Sequence, residues 1–263
     1  MDLRFENLLL SRSADSVTIT LNNPDRRNVL SSTTLDELTA AFEYAGSSDA
    51  TGVILAANGK VFSAGHDFVE MLGKDIATVR TLFAKCSSLM QLIQSIPQPV
   101  IARVHALATG AGCQLVASTD LAVASDEASF CMPGGKGGLF CTTPLVAVAR
   151  SLTSKRSLEM AMTGDAIDAH TAYEWGLINQ VVSPHLLIEA TDRLLHRVTR
   201  GSAASMSVGK RAFYAQIDLD QQDAYEFASE VMAQASLHRD AQEGIRAFIE
   251  KRSPVWSLPV GRD

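Results

Sequence analysis

The sequence lacks most of the features that assign a function quickly. Its four cysteines, Cys86, Cys113, Cys131 and Cys141, form no C-x-x-C pair. That spacing excludes the usual zinc sites and a secreted disulfide framework, and points to free thiols in a reducing cytosol. The chain does not open with a basic segment followed by an apolar one, so no signal peptide is expected and a cytoplasmic location is. Apolar runs fall well short of a membrane span. Positive charge is scarce, with 23 Lys plus Arg against 29 Asp plus Glu and a net charge of −6. This argues against nucleic-acid binding, which depends on phosphate neutralisation, but not against a small anionic ligand held by backbone dipoles. Repeats, low-complexity segments and flexible linkers are absent. Gly110-x-Gly112-x-x-Leu115 lacks the third glycine of a dinucleotide fingerprint. The run Gly134-Gly135-Lys136-Gly137-Gly138 has no Ser or Thr after its lysine, so it is not a P-loop. No G-x-S-x-G elbow occurs. His66 and Asp67 are adjacent but no further ligand follows at metal-binding spacing, so no metal is expected.

What remains is an ordinary globular composition, 46% hydrophobic and 20% charged over 263 residues, with enough chain to bury a substantial core. Val17, Ile19 and Leu21 alternate with threonines, the period of a half-buried strand, and Asn22-Asn23-Pro24-Asp25 ends it with turn chemistry. Leu35, Leu38, Phe42 and Ala45 recur at helical spacing behind possible N-caps at residues 31–34. Short apolar runs at 53–57, 100–104 and 121–124 suit strands buried on both faces. Helical stretches near 75–95 and 111–118 separate them, which predicts an α/β fold with parallel strands. From about residue 142 the pattern is nearly all helical. Tyr225, Ala228, Met232 and Ala235 share one helical face. Ile245, Phe248 and Ile249 share another, behind an Asp240-x-x-Glu243 capping box. The expected organisation is an α/β core over 1–200 and a helical C-terminal region over 201–263.

Two glycine-containing turns, residues 59–67 and 106–114, each follow a predicted strand. Small residues there let backbone approach a ligand, and free N–H groups at a helix start can point at an anion or oxyanion. Two such donors on one oxygen would form an oxyanion hole, each contributing roughly a hundred- to a thousand-fold in rate. Either turn alone reads equally as a tight strand-to-helix connection.

The order of segments resembles the crotonase (enoyl-CoA hydratase/isomerase) superfamily. Residues 21–30 (LNNPDRRNVL) resemble its L-N-x-P-x-x-x-N-A-L stretch, Phe62-Ser63-Ala64-Gly65-His66-Asp67 its F-x-A-G-x-D, and residues 110–115 its G-G-G-C-E-L. Residues 120–124, 163–169 and 172–178 resemble its later D-x-x-x-A, T-G-x-x-I-x-A and A-x-x-x-G-L-V segments. Cys113 to Ser125 and the Gly138–Pro144 loop resemble the subgroup called enoyl-CoA hydratase domain-containing protein 3. The resemblance implies a crotonase spiral of ββα units, a helical C-terminal trimerisation region, and a homotrimer or dimer of trimers. It implies an acyl-CoA thioester as ligand, with coenzyme A as part of the substrate and no separate cofactor. By position, His66 and Ala111 would donate the oxyanion N–H groups. Arg27, Val29, Ala64, Asp67, Phe68 and Gly110 would line the CoA site, and Phe248 and Lys251 match a segment that reaches a neighbouring subunit's CoA.

The chemistry departs from that pattern. Hydration needs a carboxylate to activate water and another to deliver a proton. Gln114 and Gly134 stand at those positions. Cys141, Cys131 and the His66 imidazole are substitutes, a thiol only if its pKa is lowered. Asp67 and Glu70 read as caps of the helix that starts there, and Lys136 as a solvated lysine or a phosphate contact. Gly134→Glu is expected to raise any residual hydration. Three readings follow: an enoyl-CoA hydratase/isomerase-type lyase of fatty-acid metabolism with a replaced catalytic set, a methylmalonyl-CoA decarboxylase-like lyase, or a non-catalytic acyl-CoA binding or carrier protein.

Overall fold

The computed structural model describes residues 4–13 and 15–257. A six-stranded sheet runs β1 (Leu8–Arg12), β2 (Ser16–Leu21), β3 (Gly52–Ala57), β4 (Val100–Val104), β6 (Leu121–Ser125) and β9 (Gln180–Val182). Among the described residues of this sheet, only the β1–β2 pair is antiparallel. β2, β3 and β4 align Ile19 with Leu55 and Leu55 with Ala102. The central strands are buried on both faces, as continuous apolar runs require. A second, three-stranded sheet joins β5 (Ala108–Thr109), β7 (Ser129–Cys131) and β8 (Ile167–Asp168). Single bridges from Leu30 to His66 and from Ser63 to Ala108 extend this layer.

Helices α1 (Ser32–Ser47) and α2 (Ile76–Ser95) cover the main sheet. Ser31 and Asp75 cap them by accepting from Thr34 N and Thr78 N. Leu35, Leu38, Phe42 and Ala45 are all buried, each of the three large ones stabilising the core by about 1.5–3 kcal/mol. The short helix α3 (Ala111–Ala117) lies between β5 and β6, followed after β7 by α4 (Thr142–Ser151), α5 (Ser154–Thr163), α6 (Ala169–Trp175) and α7 (Leu187–Thr199).

The C-terminal helices are α8 (Ala203–Gln216), α9 (Gln221–Ser236) and α10 (Arg239–Glu250). Lys210 on α8 reaches the core and donates to Ile93 O (2.9 Å) and Gln98 O (2.8 Å). It also pairs with Asp120 Oδ2 at 2.8 Å, while Tyr214 Oη donates to Asp120 Oδ1. The boundary expected at residue 200 falls in the turn before α8, and this network crosses it.

Several expectations change. The region after residue 142 contains two strands, β8 and β9, of two and three residues. Neither is long enough to show a period of two in sequence. The Asp240-x-x-Glu243 box does not form: α10 starts two residues earlier, with His238 as N-cap. Asp240 instead accepts from Ser202 Oγ and from Ser257 N and Oγ, and Glu243 pairs with Arg252. The apolar faces of α9 and α10 exist but are not buried within the chain: Met232 is 77%, Ile249 72% and Phe248 85% exposed. No helix among the described residues is long and apolar enough to cross a membrane.

Candidate functional site

Three loops are zipped side by side above the carboxyl ends of β2, β3 and β4. The first holds Arg27 and Asn28, both in the left-handed conformation (φ 54° and 50°) that asparagine tolerates better than most residues. Buried Asn28 donates from Nδ2 to the carbonyls of Asn58, Val61 and Phe62 at 2.7–3.1 Å, and its Oδ1 accepts from Asn23 N. Ser63 Oγ donates back to Asn28 O, Ala64 N to Arg27 O and Leu30 N to Gly65 O. The second loop binds the third the same way: Phe62 N donates to Leu107 O and Thr109 N to Ser63 O.

This stitching brings the two glycine turns into contact. A Cβ on Gly65, whose φ is +81°, would lie 2.9 Å from Thr109 O and 3.1 Å from Ala111 N, so only glycine fits. A Cβ on Gly112 would lie 2.5 Å from Ser63 O, which explains how α3 packs so closely on that loop. His66 N and Ala111 N therefore sit on facing turns. Neither donates a hydrogen bond to any described residue.

The side chains around them are mostly neutral. The His66 ring meets Phe83 of α2 edge-on at 5.1 Å, and both ring nitrogens are buried without a partner. Burial holds its pKa below the usual histidine value, opposed more weakly by the Leu30 backbone. Gln114 is 3% exposed, and its Oε1 lies 3.8 Å from the Cys86 thiol. Asp67 is buried, accepts from Val69 N and pairs with Arg26 at 2.6 Å. It caps a single 3-10 turn, Phe68–Glu70, not a helix. Glu70 turns away and accepts from Ser32 N at the start of α1. Phe68 is exposed beside Asp67.

Gly134, Cys131 and Cys141 border the same turns, since Gly110 N donates to Cys131 O and Thr109 aligns with Cys131. Gly134 N donates to Cys141 Sγ at 3.3 Å. A Cβ on Gly134 would overlap Leu139 O and lie 2.7 Å from Cys141 Sγ. The 134–141 loop thus fills the space a side chain at 134 would need, which overturns the expectation that Gly134→Glu raises activity. All four cysteines are free and buried. Burial raises the pKa of each, so Cys131 and Cys141 are neutral thiols at pH 7 and not the thiolates that base or nucleophile chemistry requires.

The structure gathers Ala64, His66, Asp67, Gly110, Ala111, Gln114, Gly134 and Cys141, with Arg27 and half-buried Val29 on the flanking loop. It does not bring Phe248 and Lys251 to this cluster. Both lie at the end of α10, which packs on α8 and α9, and no hydrogen bond or ion pair ties them to the turns. Lys136 pairs with Asp165 at 2.5 Å. Sequence reasoning missed Asn28, Phe83 and Cys86. Asn28 stood in the recognised L-N-x-P-x-x-x-N stretch, and an asparagine in a turn is a signal of left-handed backbone. Phe83 and Cys86 carry no such signal, because only the tertiary packing of α2 brings them to the turns.

The enoyl-CoA hydratase/isomerase family matches residues 12–258. This chain belongs to that family. Rat enoyl-CoA hydratase domain-containing protein 3, mitochondrial, is 44% identical over 253 residues, 95% of this chain and 84% of the rat protein. The crystal structure of the human protein of the same name superposes with a TM-score of 0.92 at 42% identity, covering 95% of this chain and 100% of that one. An enoyl-CoA hydratase structure from Mycobacterium smegmatis gives the same TM-score and identity over 95% and 99%. The crotonase fold is therefore shared with these structures. At the two positions where the resemblance implied carboxylates, this chain carries the neutral Gln114 and Gly134.

Proposed function

We propose that the protein binds an acyl-CoA thioester with its carbonyl oxygen between the N–H groups of His66 and Ala111. The observation that carries this reading is the close seating of Gly65 against Ala111 N, which leaves two unused backbone donors on facing turns. Such donors polarise a thioester carbonyl and stabilise an enolate formed from it. Arg27, Val29, Ala64, Asp67, Phe68 and Gly110 would line the path of the CoA arm. Phe248 and Lys251 join the site only in an assembly, and the exposed apolar faces of α9 and α10 support a homotrimer or dimer of trimers. Four buried free cysteines suit a reducing compartment, and the cytoplasm is the location proposed.

Of the reaction classes open to an enoyl-CoA hydratase/isomerase-type lyase of fatty-acid metabolism, ordinary hydration has the least support. Gln114 cannot take a proton, Gly134 has no side chain or room for one, and the thiols are protonated. Chemistry that forms the enolate without a base, such as loss of CO₂ from a methylmalonyl-type thioester, needs only the two N–H donors. The absence of any side chain at 134 also favours a second reading, a binding or carrier protein that keeps the pocket without turnover. Turnover of crotonyl-CoA and methylmalonyl-CoA should be assayed beside thioester binding on one preparation. Binding without hydration of crotonyl-CoA is expected. Release of CO₂ selects the lyase, and its absence selects the carrier. Failure to bind any acyl-CoA at millimolar concentration would sink the proposal.

A further inference from the structure

The turn that supplies the His66 N–H also carries two carboxylates, Asp67 and Glu70, and both are compensated. Glu70 accepts from Ser32 N at 2.7 Å, at the first residue of α1, where the positive end of the helix dipole offsets its charge. Asp67 follows His66 directly. Its Oδ1 accepts from Val69 N at 3.1 Å, and its Oδ2 accepts from Arg26 Nη2 at 2.6 Å. The Asp67 side chain is 7% exposed and that of Arg26 53%. Water therefore screens the carboxylate poorly, and its field acts on its surroundings unless a cation sits beside it.

Arg26 belongs to the first loop. Its own N–H donates to Asn23 O and its carbonyl accepts from Val29 N, so the side chain reaches Asp67 from a fixed backbone. Consecutive Cα atoms lie about 3.8 Å apart. That spacing keeps the Asp67 carboxylate within the roughly 8–10 Å over which charges act in salt of an oxygen bound at His66 N. A negative charge there opposes the gathering of charge on that oxygen, and a guanidinium on the carboxylate removes the opposition. The His66 ring does not do this, because burial holds its pKa below the usual histidine value and keeps it neutral. The turn itself has no need of the charge, since an asparagine caps as well as an aspartate does.

We infer that Arg26 is a positioning residue for the thioester site: it neutralises the Asp67 carboxylate beside the His66 N–H and so preserves the polarisation of the bound carbonyl. The inference rests on the thioester placement proposed above.

Difference infrared spectroscopy of butyryl-CoA, labelled with carbon-13 at the thioester carbonyl and bound at saturation and neutral pH, tests this across four proteins. In Arg26→Met the carbonyl stretch should lose the larger part of the shift to lower frequency that the wild type shows. Arg26→Lys keeps the cation and should keep most of the shift. The double variant Arg26→Met with Asp67→Asn removes the opposing charge while retaining an acceptor for Val69 N, and should restore the shift. Binding of the thioester certifies each variant as folded. If Arg26→Met does not bind, the double variant decides: binding with the shift restored supports the inference, and no binding overturns it. An unchanged shift in Arg26→Met, or a double variant no better than Arg26→Met, would also overturn it. Arg26→Met that weakens free CoA and butyryl-CoA by the same factor yet keeps the shift would make Arg26 a contact of the CoA arm instead. A wild-type complex with no shift defeats the thioester placement as well, whereas a wild-type shift that Arg26→Met leaves intact defeats this inference alone.

Discussion

At residue 134 a missing side chain and a filled space coincide. A Cβ there overlaps Leu139 O and crowds Cys141 Sγ, so Gly134→Ala should destabilise the fold by about 1–3 kcal/mol, as overpacking does. Urea denaturation measures this, and a neutral substitution would show that the 134–141 loop yields easily. His66 gives a second test, through pH. Its folded pKa is depressed by burial, so below the unfolded value of about 6.5 the unfolded chain takes up a proton that the folded one refuses. Stability should therefore fall as pH drops below that point, by at most about 1.4 kcal/mol per unit from this group. Comparing urea midpoints at pH 7.5 and 5.5 for the wild type and His66→Phe should show a smaller loss in the variant. The sequence made the positions of His66, Ala111, Gln114 and Gly134 legible, because short motifs in a fixed order carry them. It did not show whether space existed at 134, since that depends on a loop seven residues further along folding back.

At the scale of elements, the site depends on one asparagine that fastens the first loop to the second, while backbone hydrogen bonds fasten the second to the third. Asn28 satisfies three carbonyls of the second loop, and nothing else among its described neighbours replaces it. Asn28→Ala should cost about 2–4 kcal/mol, the sum of several buried carbonyls left unpaired, and should weaken thioester binding because the loop that carries His66 loses its hold on the first loop. Thermal unfolding together with acyl-CoA titration of the variant reads both effects. Helix α8 is fastened to the core by Lys210. Lys210→Met would strand Asp120 beside the sheet, and a loss of about 3–5 kcal/mol is expected by calorimetry. Strands β2, β3, β4 and β6 and helices α1 to α3 could be read from the apolar pattern to within about two residues, as with Val100–Val104 and residues 75–95, whereas β1 was not read. The short strands β5, β7, β8 and β9 could not, because their identity lies in pairing and not in pattern. The start of α10 was misread for a similar reason: Asp240 has the sequence spacing of a cap, yet its carboxylate is drawn to Ser202 and Ser257.

For the whole molecule, the exposed apolar faces of α9 and α10 are a part of the surface that a single chain leaves unexplained. Patches of this kind mark interfaces. Light scattering should report a trimer or hexamer, and Met232→Asp should shift the population toward smaller species. A wild-type monomer at micromolar concentration would contradict the assembly proposed here. The two apolar faces were visible in sequence as helical stripes, but their burial was not, because a stripe that faces a second chain has the same period as one that faces the core.

The central claim is that the thioester carbonyl is held by the amides of His66 and Ala111. Difference infrared spectroscopy of butyryl-CoA labelled with carbon-13 at the thioester carbonyl tests it most directly. On binding, the account predicts a shift of the carbonyl stretch to lower frequency, the mark of an oxygen accepting strong hydrogen bonds. A bound complex whose carbonyl stretch stays at its solution frequency would contradict it.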